Sequence, residues 1–230
     1  MQVTAHFASS PPPLIADLAD AAWQAAAAFP IDRTWRGDPA PPGLETTARV
    51  LWTARHLWFA YECRFTELDI DSDYDTAVER VALWDRDVCE AFVRSAAEPR
   101  ADSYKEFEVA PTGQWCDLVI HRPRVDVDWQ WQSGMETAAA IDLAGGVWRA
   151  VMRIPFAAFG ATPQAGDHWH LNLFRISRVR GVRHYLAYAP TGTEAPDFHR
   201  PEYFVPLVFT GGAGTGAPRG ATLPSSSERD

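Results

Sequence analysis

Apolar and polar residues alternate with a period of two along most of the chain between residues 49 and 209. In the run 57–65, Leu57, Phe59, Tyr61, Cys63 and Phe65 alternate with Glu62 and Arg64, which predicts a half-buried strand. Strand-like runs also fall at 49–53, 88–94, 103–109, 115–121, 136–142, 147–154, 169–177, 183–189 and 203–209. Turn residues separate them. Pro111-Thr112-Gly113, Ala144-Gly145-Gly146 and Arg180-Gly181 each sit between two runs. Pro206 inside the last run predicts an edge strand. Helical periodicity occurs once, over 14–29, where Leu14, Leu18, Ala22 and Ala25 share a face. The segment 155–160 reads as a short helical turn closed by Gly160.

Roughly ten strands at short spacing, without βαβ alternation, predict an all-β fold. The expected architecture is an antiparallel, jelly-roll-like β-sandwich over 14–210 with a short N-terminal helix. Residues 1–13 are expected to form an extended arm ahead of it. Residues 211–230, rich in Gly, Ser, Pro and Thr, are expected to be a disordered tail.

Composition narrows the function classes. The chain has 230 residues, 47% of them apolar, and a formal net charge of −9. That charge repels a phosphate backbone and argues against a nucleic-acid partner. No run is long and apolar enough to predict a membrane span. No signal-peptide pattern is read at the start, which implies a cytoplasmic protein as written; a misassigned start codon would leave room for export. Three cysteines, Cys63, Cys89 and Cys116, lie in apolar runs and read as buried thiols. Ten tryptophans are more than a core of this size requires, and suggest that some serve as stacking surfaces.

Several groups could carry chemistry. Trp84 precedes the charged turn Asp85-Arg86-Asp87, and Glu90 follows on a strand face shared with Val88 and Phe92. An exposed indole can stack on a sugar ring while a nearby carboxylate accepts its hydroxyls. Tyr104, Glu106 and Glu108 share one face of the next strand. If that strand neighbours 88–94, Glu90 and Glu106 would lie across from each other, the pairing a glycoside hydrolase would need. Asp69, Asp71, Asp73 and Asp75 alternate as in a calcium loop, but Tyr74 stands where an EF-hand needs Gly and Arg80 where it needs Glu. His168 and His170 share a strand face without an evident third ligand. Phe198 and His199 lie in the loop before the last strand. A haem ligated by Met135 or Met152 with His184 or His199 is a further alternative, since related sandwiches hold haem.

Taken in order, LWFAYEC (57–63), LWDRDVCEAFV (83–93), YKEFEVAPTG (104–113), WRAVMRIPFAAFG (148–160), GDHWHLNLFRIS (166–177) and YLAYAPTGTEAPDFHRPEYFVPLVF (185–209) resemble the family 9 carbohydrate-binding modules, in particular their divergent family 9-like domains. The resemblance implies a non-catalytic sandwich that clamps a sugar ring between two aromatic side chains. Trp84 would match the first aromatic, Glu90 the acidic residue that takes sugar hydroxyls, and Phe198 the second aromatic. Tyr104, Glu106, Arg175 and His199 would complete the groove. The implied ligand is a mono- or oligosaccharide bound by a monomer. The resemblance also implies structural calcium in some members, for which Asp69, Asp71 and Asp73 are the candidates. Two departures stand out: the second clamp residue is Phe rather than Trp, and Ala195 falls near a sugar-contacting Asn of the family.

Overall fold

The computed structural model describes residues 1–71, 73 and 75–211; most of the expected tail lies outside them. The elements in chain order are β1 (Val3–Phe7), α1 (Ala21–Ala25), β2 (Ala28–Pro30), β3 (Arg33–Thr34), β4 (Thr46–Trp52), β5 (His56–Arg64), β6 (Val88–Arg94), β7 (Tyr104–Val109), β8 (Trp115–Arg122), β9 (Asp126–Asp128), β10 (Glu136–Asp142), β11 (Val147–Pro155), β12 (His168–Val179), β13 (Val182–Ala187) and β14 (Val205–Thr210). All ten strands expected from alternation are present.

The strands form one continuous path, β10-β11-β5-β4-β1-β14-β12-β6-β7-β8-β9, with β13 beside β12 and β2 beside β4. The path folds over on itself. Trp148 and Ala150 of β11 share a buried core with Cys89 and Ala91 of β6 and with Phe107 and Val109 of β7. The Tyr61 hydroxyl donates to the Glu90 carbonyl at 3.1 Å across this interior. The architecture is therefore a sandwich, and its two halves meet at β1.

Two local expectations are corrected. The extended N-terminal arm joins the sheet: β1 pairs parallel with both β4 and β14, so the sheet is not wholly antiparallel. Its pattern explains why, since Val3 and Ala5 are fully buried between the halves. Nor does Pro206 mark an edge, because β14 lies between β1 and β12. The pairing with β1 begins at Val3↔Leu207, so Pro206 lies beyond the reach of β1 and its missing N–H costs no bond there. The helix is shorter than its periodicity suggested. Asp20 caps it by accepting from the Ala22 amide at 2.9 Å, and Trp23 is its buried anchor.

The two halves have different outer faces. On the first, Leu51, Trp58, Ala60 and Val151 are sealed by Leu18 and Trp23 of the N-terminal segment. On the second, the outward residues of β6, β7, β8 and β12 form a separate apolar cluster with Leu83, Phe198 and Phe204 from loops. That covering is incomplete.

Candidate functional site

Alternation sends Val88, Glu90 and Phe92 of β6 outward, and Cys89, Ala91 and Val93 into the interior. The same rule turns Tyr104, Glu106 and Glu108 of β7 outward. Here they meet a cavity of about 300 Å³, lined by Trp84, Trp129, Tyr185 and Phe198, by all three glutamates, and by Arg124, Arg183 and His199.

Loop geometry places the aromatics. Trp84 sits in a single helical turn, Leu83–Asp85, anchored by buried Leu83. Ala82 before it adopts a left-handed φ of 65°, a conformation that costs a non-glycine residue about 1 kcal/mol. Arg183 of β13 holds this turn, donating to the Trp84 carbonyl at 2.5 Å and to Asp85 at 3.1 Å. Trp129, nearly half exposed, leans on Trp84 with ring centroids 5.9 Å apart. Phe198 stacks on Phe174 of β12 at 4.0 Å, with Tyr185 edge-on at 6.0 Å. Asp197 steadies its loop by accepting from the His199 amide at 3.1 Å and from Arg124 at 2.6 Å.

The register sets the carboxyl cluster. Glu90 faces Glu108 directly, and Glu106 lies opposite Phe92. The expected Glu90–Glu106 pairing is thus replaced by a cluster of three. One oxygen from each lies within 4.8 Å of the others. All three residues are buried. Loss of hydration pushes their carboxyls above the usual range; the neighbouring Glu106 pushes Glu90 further, and Glu90 pushes Glu108 further. His199, 3.8 Å from Glu106 Oε2, pulls Glu106 back. Glu106 Oε2 and both Glu108 oxygens have no hydrogen-bond partner among the described residues, and neither has Arg183 Nε. Such atoms are rare unless something else satisfies them.

Five of the seven expected ligand residues line this cavity: Trp84, Glu90, Glu106, Phe198 and His199. Tyr104 sits behind it, stacked on Phe92 at 5.3 Å, with its hydroxyl 2.7 Å from His199 Nδ1. It orients the imidazole rather than lining the groove. Arg175 is a correction. It alternates with Phe174 and Ile176 and so points inward, where its guanidinium donates to the Leu44 carbonyl, the Thr46 hydroxyl and the Arg64 carbonyl. Sequence reading missed Trp129, Arg183 and Tyr185. The alternation of 183–189 carried Arg183 and Tyr185 on one face, but only pairing of β13 with β12 brings that face to the cavity.

The described part of the aspartate loop is held by ion pairs. Asp69 pairs with Arg86 and Arg178, Asp71 pairs with Arg80 at 2.9 Å, and Asp73 is exposed. For the haem alternative, Met152 is buried in the interior while His199 lines the outer cavity, so the two cannot share an iron. Cys63, Cys89 and Cys116 are buried free thiols.

A family model described as "Carbohydrate family 9 binding domain-like" matches residues 15–204. The chain belongs to this family. It is a family of non-catalytic binding modules. Among solved structures, the fold is similar to a candidate carbohydrate-binding protein from Bacteroides uniformis (TM-score 0.71, 20% identity, covering 90% of this chain and 98% of that one). It is also similar to a family 9 module from Caldicellulosiruptor kristjanssonii in complex with cellotriose (TM-score 0.65, 12% identity, 99% and 100% covered) and to one from the same organism with glucose (0.64, 13%, 95% and 100%). At these identities the likeness shows the fold. No curated protein matches the chain.

Proposed function

We propose that this domain binds one sugar ring in the outer-face cavity, with Trp84 and Phe198 as its stacking surfaces and Trp129 and Tyr185 extending them. The observation that carries this reading is the combination inside one aromatic-walled cavity of unpartnered buried acceptors on Glu106 and Glu108 with an unpartnered buried donor, Arg183 Nε. A sugar is built to satisfy both. Its C–H face suits an aromatic ring, and its hydroxyls donate and accept at once. A volume near 300 Å³ is at the small end of ligand sites and fits a monosaccharide or the terminal ring of a longer chain. Two structures of this fold were obtained with glucose and with cellotriose, which supports a hexose ligand. The departure from two tryptophans is offset in this chain, since Trp129 supplies an indole beside Trp84.

The test is a tryptophan-fluorescence titration against mono- and oligosaccharides. Saturable quenching by at least one sugar, weakened about 30-fold by Trp84→Ala, is the expected result. A flat response across the panel would refute the reading.

A further inference from the structure

The three glutamates are more than a neutral sugar requires. A hydroxyl can donate to a carboxyl, but it cannot neutralise a cluster of them. The charged groups lining the cavity do so only in part: Arg183 draws Glu90 down and His199 draws Glu106 down, while burial and the neighbouring carboxyls raise Glu108. Arg124 is engaged by Asp197, and Arg183 by Asp85 and the Trp84 carbonyl. His199 Nδ1 faces the Tyr104 hydroxyl at 2.7 Å and lies 3.8 Å from Glu106. Glu108 remains fully buried with both oxygens unpartnered among the described residues. A donor group that brings its own positive charge would both partner these oxygens and allow a carboxyl to ionise.

Resting on the sugar-binding reading above, we infer that the ring taken by this cavity carries a protonated amine, as an amino hexose does, with the ammonium held among Glu90, Glu106 and Glu108. An ammonium offers three N–H donors and one positive charge on a single atom. Three carboxyls with oxygens within 4.8 Å of one another supply the matching acceptors. The aromatic wall decides against a bare metal ion, which would use the carboxyls and leave Trp84, Trp129, Tyr185 and Phe198 without a role. An N-acetylated amine keeps one N–H but loses the charge, so it would not substitute. Binding also expels one of the protons that burial holds on these carboxyls, so the ammonium replaces it charge for charge.

The experiment is isothermal titration of the intact protein with glucosamine, galactosamine and mannosamine, each beside its parent hexose and its N-acetyl form, in buffers of different ionisation enthalpy. At least one amino hexose is expected to bind about tenfold or more tightly than both counterparts, the size of one charge-assisted hydrogen bond. Proton release should accompany it, and Glu108→Gln should narrow the preference to about threefold or less. If hexoses bind and amino hexoses bind no more tightly, the amine inference falls while sugar binding stands. If none of the sugars binds, both fall. Calcium chloride alone is the last probe. Saturable binding of calcium, with sugar affinity lost on chelation, would overturn the inference in favour of a metal.

Discussion

The two faces of the β6–β7–β12 half bury charge in opposite ways. On the inner face, Arg175 is wholly enclosed, yet three acceptors meet its terminal nitrogens and Trp148 lies 5.9 Å from its guanidinium; only Nε is left over. On the outer face, a few ångströms of backbone away, Glu106 and Glu108 are just as buried and three of their four oxygens have no partner among the described residues. A buried charge must be compensated or it raises the free energy of the fold. Arg175 is compensated by this chain, so it serves the sandwich. The glutamates have no such partners in this chain, and on the sugar-binding proposal the ligand supplies them. The same contrast separates the two outer faces, one sealed by Trp23 and Leu18, the other left open between Trp84 and Phe198.

The sharpest way to break this contrast is Arg175→Met. It strands two carbonyls and a hydroxyl in the interior and should cost about 3 kcal/mol, lowering the thermal midpoint by roughly 6–12 °C for a chain of this size. A midpoint within 2 °C of wild type, about 1 kcal/mol or less, would mean that Arg175 is not a structural charge. Next is Trp84→Ala, which should weaken sugar binding by about 2 kcal/mol, roughly 30-fold, with little effect on unfolding. An unchanged titration curve would move the stacking surface elsewhere.

Glu108→Gln should act in the opposite direction from Arg175→Met. Removing a buried, uncompensated carboxyl should stabilise the empty domain by about 1 kcal/mol at neutral pH, read as a higher denaturation midpoint. The pH dependence follows from the sign of the shifts. The folded-state values of Glu90, Glu106 and Glu108 are raised, so the native state holds protons that the unfolded chain releases. That contribution is complete below the ordinary carboxylate range and is lost as pH rises through the folded values. Asp87 and Asp117, each pushed up to about 6 chiefly by burial, act in the same sense. Stability should therefore rise on acidification from pH 8 toward pH 5. Replacing all three glutamates with Gln should flatten the slope, leaving the part centred near the two aspartates. A wild-type midpoint that falls over this range would contradict the assignment. The smallest effect is expected at Asp71→Asn, about 0.5 kcal/mol for a partly exposed ion pair, with no response to added calcium before or after the change. A calcium-dependent rise in midpoint would identify the aspartate loop as a metal site.

Much of this was legible in the chain itself. Period-two alternation located the principal strands, and it assigned Glu90 to one face of β6 and Cys89 to the other, because side chains on a strand cannot choose their side independently. The same alternation put Tyr104, Glu106 and Glu108 together before any partner strand was known. Arg175 was misplaced for an instructive reason. Its parity with Phe174 and Ile176 was readable, but which parity faces the cavity depends on which side of β12 is covered by the other half of the sandwich. Pro206 failed as an edge marker for a similar reason: its cost depends on where β1 begins to pair, and β1 comes from the other end of the chain.

The sequence by itself thus determined the ten principal strands, their two faces and the family, because these depend on local periodicity and on the order of motifs along the chain. Only the tertiary structure decided that β1 joins the two halves, that Glu108 rather than Glu106 stands opposite Glu90, and that Trp129, Tyr185 and Arg183 close the cavity around them. Those facts rest on pairings and loop contacts between residues far apart in the chain, set by register and burial that no local pattern encodes.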